Sequence, residues 1–322
     1  GVTGYTTADF TDIPYEIITV PDANSFTVTM ASNETGSGLS AAGSTSVNPY
    51  VTVGPAFQTP GYGWGTYLWG DSTWGTARTV SDVVLDPGNW SLDNFGQILI
   101  ATIADGRTFT WDAGAVNPRT IRATIMSSAP TASRLTLVSD RDRHLFHFGT
   151  ETTIGNTSTQ DPMFIRFSNQ EDYSTYTPTA TNTAGTFRLD AGNKIVGAIS
   201  GKDYVFVLTD TAAYVIQFVG PPFTFSVRQV GTNCGLISQH ALSYSNGAVY
   251  WMSGEGGFFV YDGTVKSIPC LVEDFVFTND GDNLGINYDA AETTYAEHNS
   301  LYTEINWFYP KANSTQIDRC VT

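Results

Sequence analysis

Short apolar and aromatic runs return at related intervals along the chain, and this repetition limits the possible folds more than any other feature. Each run is typical of a strand, and in the two middle copies a small or polar break and a second run follow, as in a hairpin. The copies span 143–149 (RHLFHFG), 204–218 (YVFVLTDTAAYVIQF), 248–263 (AVYWMSGEGGFFVYDG) and 299–310 (NSLYTEINWFYP). Recurrence at roughly 40–50 residues is typical of stacked β-propeller blades. We therefore predict an all-β fold whose main body is a β-propeller.

The composition agrees with such a fold. Hydrophobic residues make up 41% of the 322 residues and aromatic residues 13%, which is enough for a buried core. Only 14% of the residues are charged, and much of the remainder is Thr, Ser, Asn and Gly, which suit strands and turns. No stretch combines an apolar stripe at helical spacing with caps at both ends, so we expect little or no helix and about five partial blades.

The sequence predicts three segments. Residues 1–58 are a small β-rich module, inserted in or appended to the propeller, and residues 59–93 are a Trp/Gly-rich connection. Residues 94–322 carry the blades. The last blade is expected to be incomplete, because Ile317–Thr322 (IDRCVT) resembles the start of a strand. We therefore expect the chain to be a segment of a longer protein.

The N-terminal module contains a predicted hairpin. Tyr15–Val20 and Ser25–Met30 alternate between apolar and polar residues in the manner of strands. Pro21–Asn24 joins them and is rich in turn formers.

Three tryptophans stand at intervals of five in the connecting segment, each followed by glycine: Trp64, Trp69 and Trp74. Aromatic rings between glycines can form a stacked ladder. Such a ladder can serve structural packing, or it can be a contact surface for carbohydrate or protein. Both interpretations stay open at this stage.

The charge balance excludes one class of function. With 31 acidic and 15 basic residues the formal net charge is −16. No basic footprint exists to neutralise phosphates, so general nucleic-acid binding is excluded. The acidity serves solubility, or it forms a surface that repels a polyanion passing nearby.

A search for catalytic groups finds none that converge. Glycoside hydrolysis needs two carboxylates facing one groove, and the spacing of Glu292, Glu297 and Glu304 does not bring them to one. Asp105–Phe109 (DGRTF) approaches the Asp-box turn of sialidase-type propellers but lacks one residue between Asp and Gly. No phosphate-binding glycine loop or nucleophile elbow occurs. We predict no catalytic residues and no enzyme activity, with a propeller glycosidase as the remaining alternative.

Metal and cofactor sites are not predicted either. His144 and His147 point to opposite faces of a predicted strand and do not ligate one metal easily, so structural or surface roles are favoured for all four histidines. Residues 279–283 (NDGDN) form an acidic turn or a weak calcium site, since the Glu that closes an EF-hand loop is absent. Cys234, Cys270 and Cys320 are too few and too far apart for a disulfide framework and are expected to be buried and reduced. The sequence shows no signal peptide and no membrane span.

Several phrases, in order, resemble those of a family of virion structural proteins of tailed bacteriophages. They cover roughly residues 60–320, and the N-terminal hairpin also resembles a module found in these proteins. The phrases are 63–75 (GWGTYLWGDSTWG), 90–101 (WSLDNFGQILIA), 140–149 (DRDRHLFHFG), 164–173 (FIRFSNQEDY), 233–236 (NCGL), 249–252 (VYWM), 258–263 (FFVYDG), 268–270 (IPC) and 306–310 (NWFYP).

This resemblance implies a β-propeller protein of the tail, such as a nozzle, tail-tube or packaged-DNA stabilisation protein. It implies a homo-oligomeric ring, typically of six copies, below the portal and adaptor. The ring would extend the DNA channel, retain the packaged DNA and anchor tail fibres, while DNA passes without specific binding. The expected location is the virion, after assembly in the host cytoplasm. The alternative is a receptor- or glycan-binding tail module that uses Trp64, Trp69 and Trp74.

Overall fold

The computed structural model describes residues 17–22, 25–29, 88–116, 118, 121–221, 223–280 and 284–322. The chain divides into two compact units, Gly1–Val53 and Gly54–Thr322. In the described residues the first unit contributes one hairpin and the second contributes five sheets.

The first unit contains the hairpin that the alternating sequence predicts. β1 (Ile17–Asp22) pairs antiparallel with β2 (Ser25–Val28), and the hydroxyls of Thr19 and Thr27 lie 2.7 Å apart across the pair. β1 runs through Pro21, two residues into the segment expected to turn. A proline is tolerated in an edge strand because its missing N–H need not break a ladder bond.

The second unit consists of antiparallel sheets that follow one another in chain order. The strands of the first two sheets are β3 (Trp90–Phe95), β4 (Ile98–Ile103), β5 (Thr108–Asp112), β6 (Thr124–Ile125), β7 (Leu135–Val138), β8 (Leu145–Phe148), β9 (Phe164–Phe167) and β10 (Gly185–Arg188). Those of the third and fourth are β11 (Ile195–Ser200), β12 (Val205–Thr209), β13 (Ala212–Gly220), β14 (Thr224–Thr232), β15 (Leu242–Ser245), β16 (Ala248–Met252), β17 (Phe258–Tyr261) and β18 (Val265–Ile268). The fifth sheet has β19 (Tyr295–Asn299), β20 (Glu304–Tyr309) and β21 (Arg319–Val321).

These five sheets of the described residues are blades of a β-propeller, which confirms the predicted fold class. Within each blade the strands pair in sequence order as a meander. The first strand of each blade contacts the first strand of the next, in the order β3, β7, β11, β15 and β19. These are the inner strands, and they begin at one common end of the propeller because every blade winds in the same sense. We call this end the entry face.

The boundaries differ slightly from those expected. The first blade begins at Trp90, within the segment expected to be a connection, because Trp90–Asp93 belongs to β3. Helix is scarce in the described residues: α1 covers Glu273–Phe277, and short 3-10 helices cover Thr157–Thr159 and Tyr288–Thr293. The last of these leads into β19 and positions Glu292.

Three apolar clusters join neighbouring blades. Ile100 and Leu145 belong to the cluster between blades 1 and 2, and Phe146 and Val207 to the cluster between blades 2 and 3. The third cluster joins blades 3, 4 and 5 around Trp251. The apolar runs of the sequence therefore form the strands of each blade, and their side chains also make the contacts between blades.

Candidate functional site

The contact surface predicted from the sequence, Trp64, Trp69 and Trp74, lies outside the described residues. The structure therefore does not place these side chains. Among the described residues, a different group of polar side chains comes together at the entry face.

Five side chains from four blades form what we call the polar cluster: Asn89, Asp105, Arg134, Lys194 and Glu292. The Glu292 carboxylate is the common partner. Its Oε1 accepts a hydrogen bond from Arg134 Nη2 at 2.9 Å and lies 3.9 Å from Lys194 Nζ. Its Oε2 accepts from Asn89 Nδ2 at 3.4 Å. One carboxylate thus links blade 5 to blades 1, 2 and 3.

The topology explains why residues so far apart in sequence meet. Asn89, Arg134 and Lys194 each stand directly before the inner strand of their blade, and Glu292 stands three residues before β19. Because all inner strands begin at the entry face around one axis, the residues that precede them converge there. From the sequence, Glu292 was a candidate only as a catalytic carboxylate. A polar residue directly before the inner strand is a pattern that Asn89, Arg134 and Lys194 share. Blade 4 has Ala241 at that position, however, and the pattern does not include Glu292 or Asp105.

Arg134 connects Glu292 to a second carboxylate. Its Nη1 donates to Asp105 Oδ2 at 3.1 Å, and Gln160 Nε2 donates to Asp105 Oδ1 at 3.0 Å. Asp105 lies in the β4–β5 turn with a φ of 56°, so this hairpin turn also supplies a charged group. The Arg134 side chain is only 19% exposed. An arginine that binds two carboxylates in a partly buried site holds them more firmly than an exposed ion pair would.

Blade 4 joins the site through Gln239 and His240. Gln239 Nε2 donates to Ser91 Oγ at 2.8 Å in a buried contact with blade 1. The backbone carbonyl of His240 accepts from Ala296 N at 2.8 Å. Desolvation lowers the pKa of the His240 imidazole below its ordinary 6.5, while a backbone hydrogen bond to Trp90 and the charge of Glu292 act in the opposite direction. His240 is therefore mainly uncharged at neutral pH.

A depression of about 490 Å³ opens beside the polar cluster. This volume falls within the roughly 300–1,000 Å³ of small-molecule sites. Blades 1, 4 and 5 line it with Asn89, His240, Glu292, Thr293, Thr294, Tyr295 and Ala296.

The three glutamates considered for hydrolysis do not share this depression. Asn299 at the end of β19 pairs with Glu304 at the start of β20. Glu304 therefore lies at the opposite end of blade 5 from Glu292, and Glu297 is exposed partway along β19. The structure does not bring them to one groove.

His144 and His147 are both fully buried and have different partners. His144 Nε2 lies 3.1 Å from Thr183 Oγ1, and His147 hydrogen-bonds Ser133 Oγ at 2.9 Å and Tyr176 OH at 3.0 Å. Burial lowers the pKa of His144 to about 4 and that of His147 to about 3. Both rings are neutral packing groups at pH 7, and they do not meet as metal ligands.

Glu151 is a buried carboxylate that no sequence motif marks. It accepts hydrogen bonds from Gly155 N at 2.7 Å, from Thr131 N at 3.2 Å and from the Thr131 hydroxyl. These local donors tie down the long β8–β9 connection, which also carries Gln160 to Asp105. Glu151 thus helps to fix the loop that carries Gln160, and Gln160 in turn binds Asp105 of the polar cluster.

Across the described ranges, no group of three or more His, Cys, Asp or Glu side chains is arranged to hold a metal ion. Residues 281–283 of the acidic turn lie outside those ranges, so the calcium alternative stays a prediction. Within the same ranges, no helix is long and apolar enough to cross a membrane.

The cysteines are unpaired but differ in burial. Cys234 is buried, Cys270 is half-buried and Cys320 is exposed. Burial raises the pKa of the Cys234 thiol to about 11, so it stays protonated. The expectation of buried thiols therefore holds for Cys234 and is wrong for Cys320.

No family model matches the chain, and no curated protein matches it. Similar solved structures include Hsv2 from Kluyveromyces marxianus (12% identity, 72% of this chain and 60% of that chain covered, TM-score 0.35). Hsv2 from Kluyveromyces lactis has 13% identity, coverages of 72% and 61%, and a TM-score of 0.34. BBS1N, in complex with ARL6DN, has 11% identity, coverages of 70% and 61%, and a TM-score of 0.36. The chain spans about three fifths of each. At these values the similarities say nothing about function, and the propeller assignment stands on the sheet topology.

Proposed function

We propose that the chain is a structural protein of a phage tail, a propeller that assembles into a ring below the portal and adaptor. The observation that carries the proposal is the hairpin of β13 and β14, which projects from the third blade with an apolar tip. The ordered phage-like phrases of the sequence supply the biological setting.

The hairpin extends beyond the rest of its blade. β13 pairs with β12 only as far as Ile216, which faces Val205. Its last four residues, Gln217–Gly220, pair with β14 alone. At about 3.3 Å per residue, this extension is roughly 13 Å long.

The base of the hairpin is fixed and its tip is open. Phe218 and Phe225 pack against the His144 ring of blade 2, with centroid distances of 5.9 and 5.0 Å. Beyond them, Phe223 is 80% exposed and Val219 is also exposed. Apolar side chains held out on a fixed arm are suited to insertion into a partner.

A head-to-tail ring needs two different complementary surfaces on each copy. A second group of exposed apolar residues lies beside α1, formed by Leu271, Val272 and Phe275. We propose that the hairpin tip of one copy contacts this group, or an equivalent apolar surface, on its neighbour.

The negative charge of the chain supports a role as the wall of a DNA channel that does not bind the DNA. A net charge of −16 repels a polyanion rather than binding it. We therefore propose that the ring, typically of six copies, extends the DNA channel of the virion, retains packaged DNA and anchors tail fibres. Its assembly would take place in the host cytoplasm.

Native mass spectrometry of the chain mixed with portal and adaptor proteins tests this role. We expect a ring-sized oligomer with the native sequence and a loss of at least half of that oligomer with Phe223→Ser. Leu301→Ser is the matched control, because Leu301 is equally exposed but lies in the β19–β20 turn. A chain that stays monomeric with both partners would overturn the proposal. So would equal oligomer yields from Phe223→Ser and the native chain.

The alternative tail role is receptor or glycan binding through Trp64, Trp69 and Trp74, and the Trp-Gly spacing of the sequence favours it. Binding of host polysaccharide would be compared between the native chain and Trp64→Ala or Trp69→Ala. Loss of binding with normal oligomer formation would support this alternative, and unchanged binding would remove it.

A further inference from the structure

The lining of the depression at the entry face includes a buried polar atom without a protein partner. Thr294, one of its lining residues, is 1% exposed, and its Oγ1 has no hydrogen-bond partner in the described part of the chain. Gln239 Oε1 and Arg134 Nε are also buried without a partner, but their residues do not line the depression. Leaving a buried polar atom unpaired is unfavourable. The Thr294 hydroxyl is therefore a group of the lining that a hydrogen bond from outside the chain would satisfy.

The charges around the depression favour an uncharged ligand. Glu292 and Asp105 contribute two negative charges, and Arg134 and Lys194 contribute two positive charges that pair with them. The lowered pKa of His240 keeps its imidazole mainly neutral at pH 7. The local formal charge is therefore zero, so neither a phosphate nor a metal cation finds an unbalanced charge to bind.

The polar groups of the lining favour hydroxyl groups in particular. The unpartnered Thr294 Oγ1 can donate or accept a hydrogen bond. A ligand hydroxyl can also do both, so it can pair with Thr294 in either role. The Glu292 carboxylate and the Asn89 amide add an acceptor and donors at the rim.

One wall of the depression is aromatic. Tyr295 lines it with 40% of its surface exposed. Its ring is held by stacking on Phe308, with a centroid distance of 4.9 Å and an interplanar angle of 19°. A fixed aromatic face with a polar end suits a ligand that carries both C–H and O–H groups.

We propose that this depression binds a short neutral saccharide, with its hydroxyls on Glu292, Asn89 and Thr294 and one sugar face on Tyr295. The proposal is independent of the tail role and uses a different part of the chain from the tryptophan segment. It rests on a depression of suitable volume, the unpartnered Thr294 hydroxyl in its lining, the balanced charge around it and the Tyr295 ring held by Phe308.

Saturation-transfer difference NMR on the whole chain tests it. The probes are the methyl glycosides of glucose, galactose, mannose and N-acetylglucosamine, together with maltose and lactose. We expect saturation transfer to at least one probe, and at least a fivefold weaker apparent affinity in Glu292→Gln and in Tyr295→Ala. The controls are Glu304→Gln and Tyr302→Ala, which alter exposed residues at the other end of blade 5 and should bind as the native chain does.

Circular dichroism would first confirm that each variant is folded, and Tyr295→Ala serves if Glu292→Gln is not. The proposal is overturned if no probe receives saturation at millimolar concentration. It is also overturned if binding survives in the folded Glu292 and Tyr295 variants, or if binding is lost in Trp64→Ala while both of these variants retain it. The last result would assign the saccharide to the tryptophan segment instead.

Discussion

The contact between blades 3 and 4 and the contact between blades 5 and 1 differ in kind. Blades 3 and 4 meet through a closed apolar cluster in which Phe206 stacks on Tyr261 at 4.8 Å and lies 5.4 Å from Trp251. Blades 5 and 1 are joined by the hydrogen bond from Asn89 to Glu292. None of the three apolar clusters of the described residues spans blades 5 and 1.

The apolar contact mainly stabilises the fold, whereas the polar contact leaves groups that can bind a ligand. An apolar contact excludes water and leaves no group to recognise a ligand, and its stability comes from burial. A polar contact contributes less stability but leaves donors and acceptors at its edge. The depression at the entry face lies at the polar contact, where blades 1, 4 and 5 meet.

The largest loss of stability is expected from a substitution in the apolar contact. Trp251→Ala removes a fully buried ring and the donor to Cys234 O at 2.7 Å. Cavity formation predicts a loss of about 3–5 kcal/mol in the free energy of unfolding. Urea denaturation of the native and variant chains measures it. A loss below about 1.5 kcal/mol would show that this cluster is not close-packed.

Acid should weaken the apolar contacts next. His144 and His147 have pKa values of about 4 and 3 in the folded chain against an ordinary 6.5, so the unfolded chain takes up protons first as pH falls. The two neutral histidines therefore make their full contribution to stability above about pH 6.5. As the pH falls from there towards the folded pKa of each ring, each contribution is lost by about 1.4 kcal/mol per pH unit. Between pH 7 and 5 the two together should cost roughly 2–4 kcal/mol.

The control for the acid effect is His147→Asn, which keeps a hydrogen-bonding side chain but does not titrate. The slope of unfolding free energy against pH between 5 and 6.5 should fall by about one half of the histidine contribution. An unchanged slope would mean that carboxylates alone cause the acid sensitivity.

A smaller loss is expected at the polar contact. Glu292→Gln removes the charge that faces Arg134 and Lys194, in a side chain that is 29% exposed. We expect the free energy of unfolding to fall by about 1–2 kcal/mol. In the native chain, added salt should reduce the contribution of Glu292 by screening the charges. Glu304→Gln, at an exposed position in the same blade, should change stability by less than about 0.5 kcal/mol. Equal losses in Glu292→Gln and Trp251→Ala would erase the distinction between the two contacts.

The smallest effect belongs to an ion pair outside both contacts. Lys266 Nζ lies 2.6 Å from Asp262 Oδ2 at the edge of blade 4, where both side chains are exposed. Lys266→Ala should leave the free energy of unfolding unchanged within error, because exposed pairs gain little over solvated charges. Urea denaturation with an error of a few tenths of a kcal/mol resolves this from the Glu292 variant.

The same contrast explains how much of the fold the sequence could predict. β4, β5, β8, β12 and β16 are buried on one or both faces, so their apolar runs mark them in the sequence. The outer strands β6, β10 and β18 are short and largely exposed, and their composition resembles that of a loop. They form because an adjacent strand offers a free edge, which is a tertiary cause.

The polar cluster was beyond local sequence reasoning for a related reason. Asn89, Arg134, Lys194 and Glu292 are single polar residues at loop ends, and each alone is ordinary. Only the circular arrangement of the blades brings them to one carboxylate. His147 is the opposite case, because its neighbours in sequence already indicate a buried strand.

Cryo-electron microscopy of phage particles, searched for this propeller, tests the proposed tail role most directly. We expect a ring of propeller densities around the tail axis below the portal and adaptor, with each β13–β14 hairpin tip against the next copy. Propeller density found only at the tip of a fibre, or as isolated copies away from the axis, would contradict it.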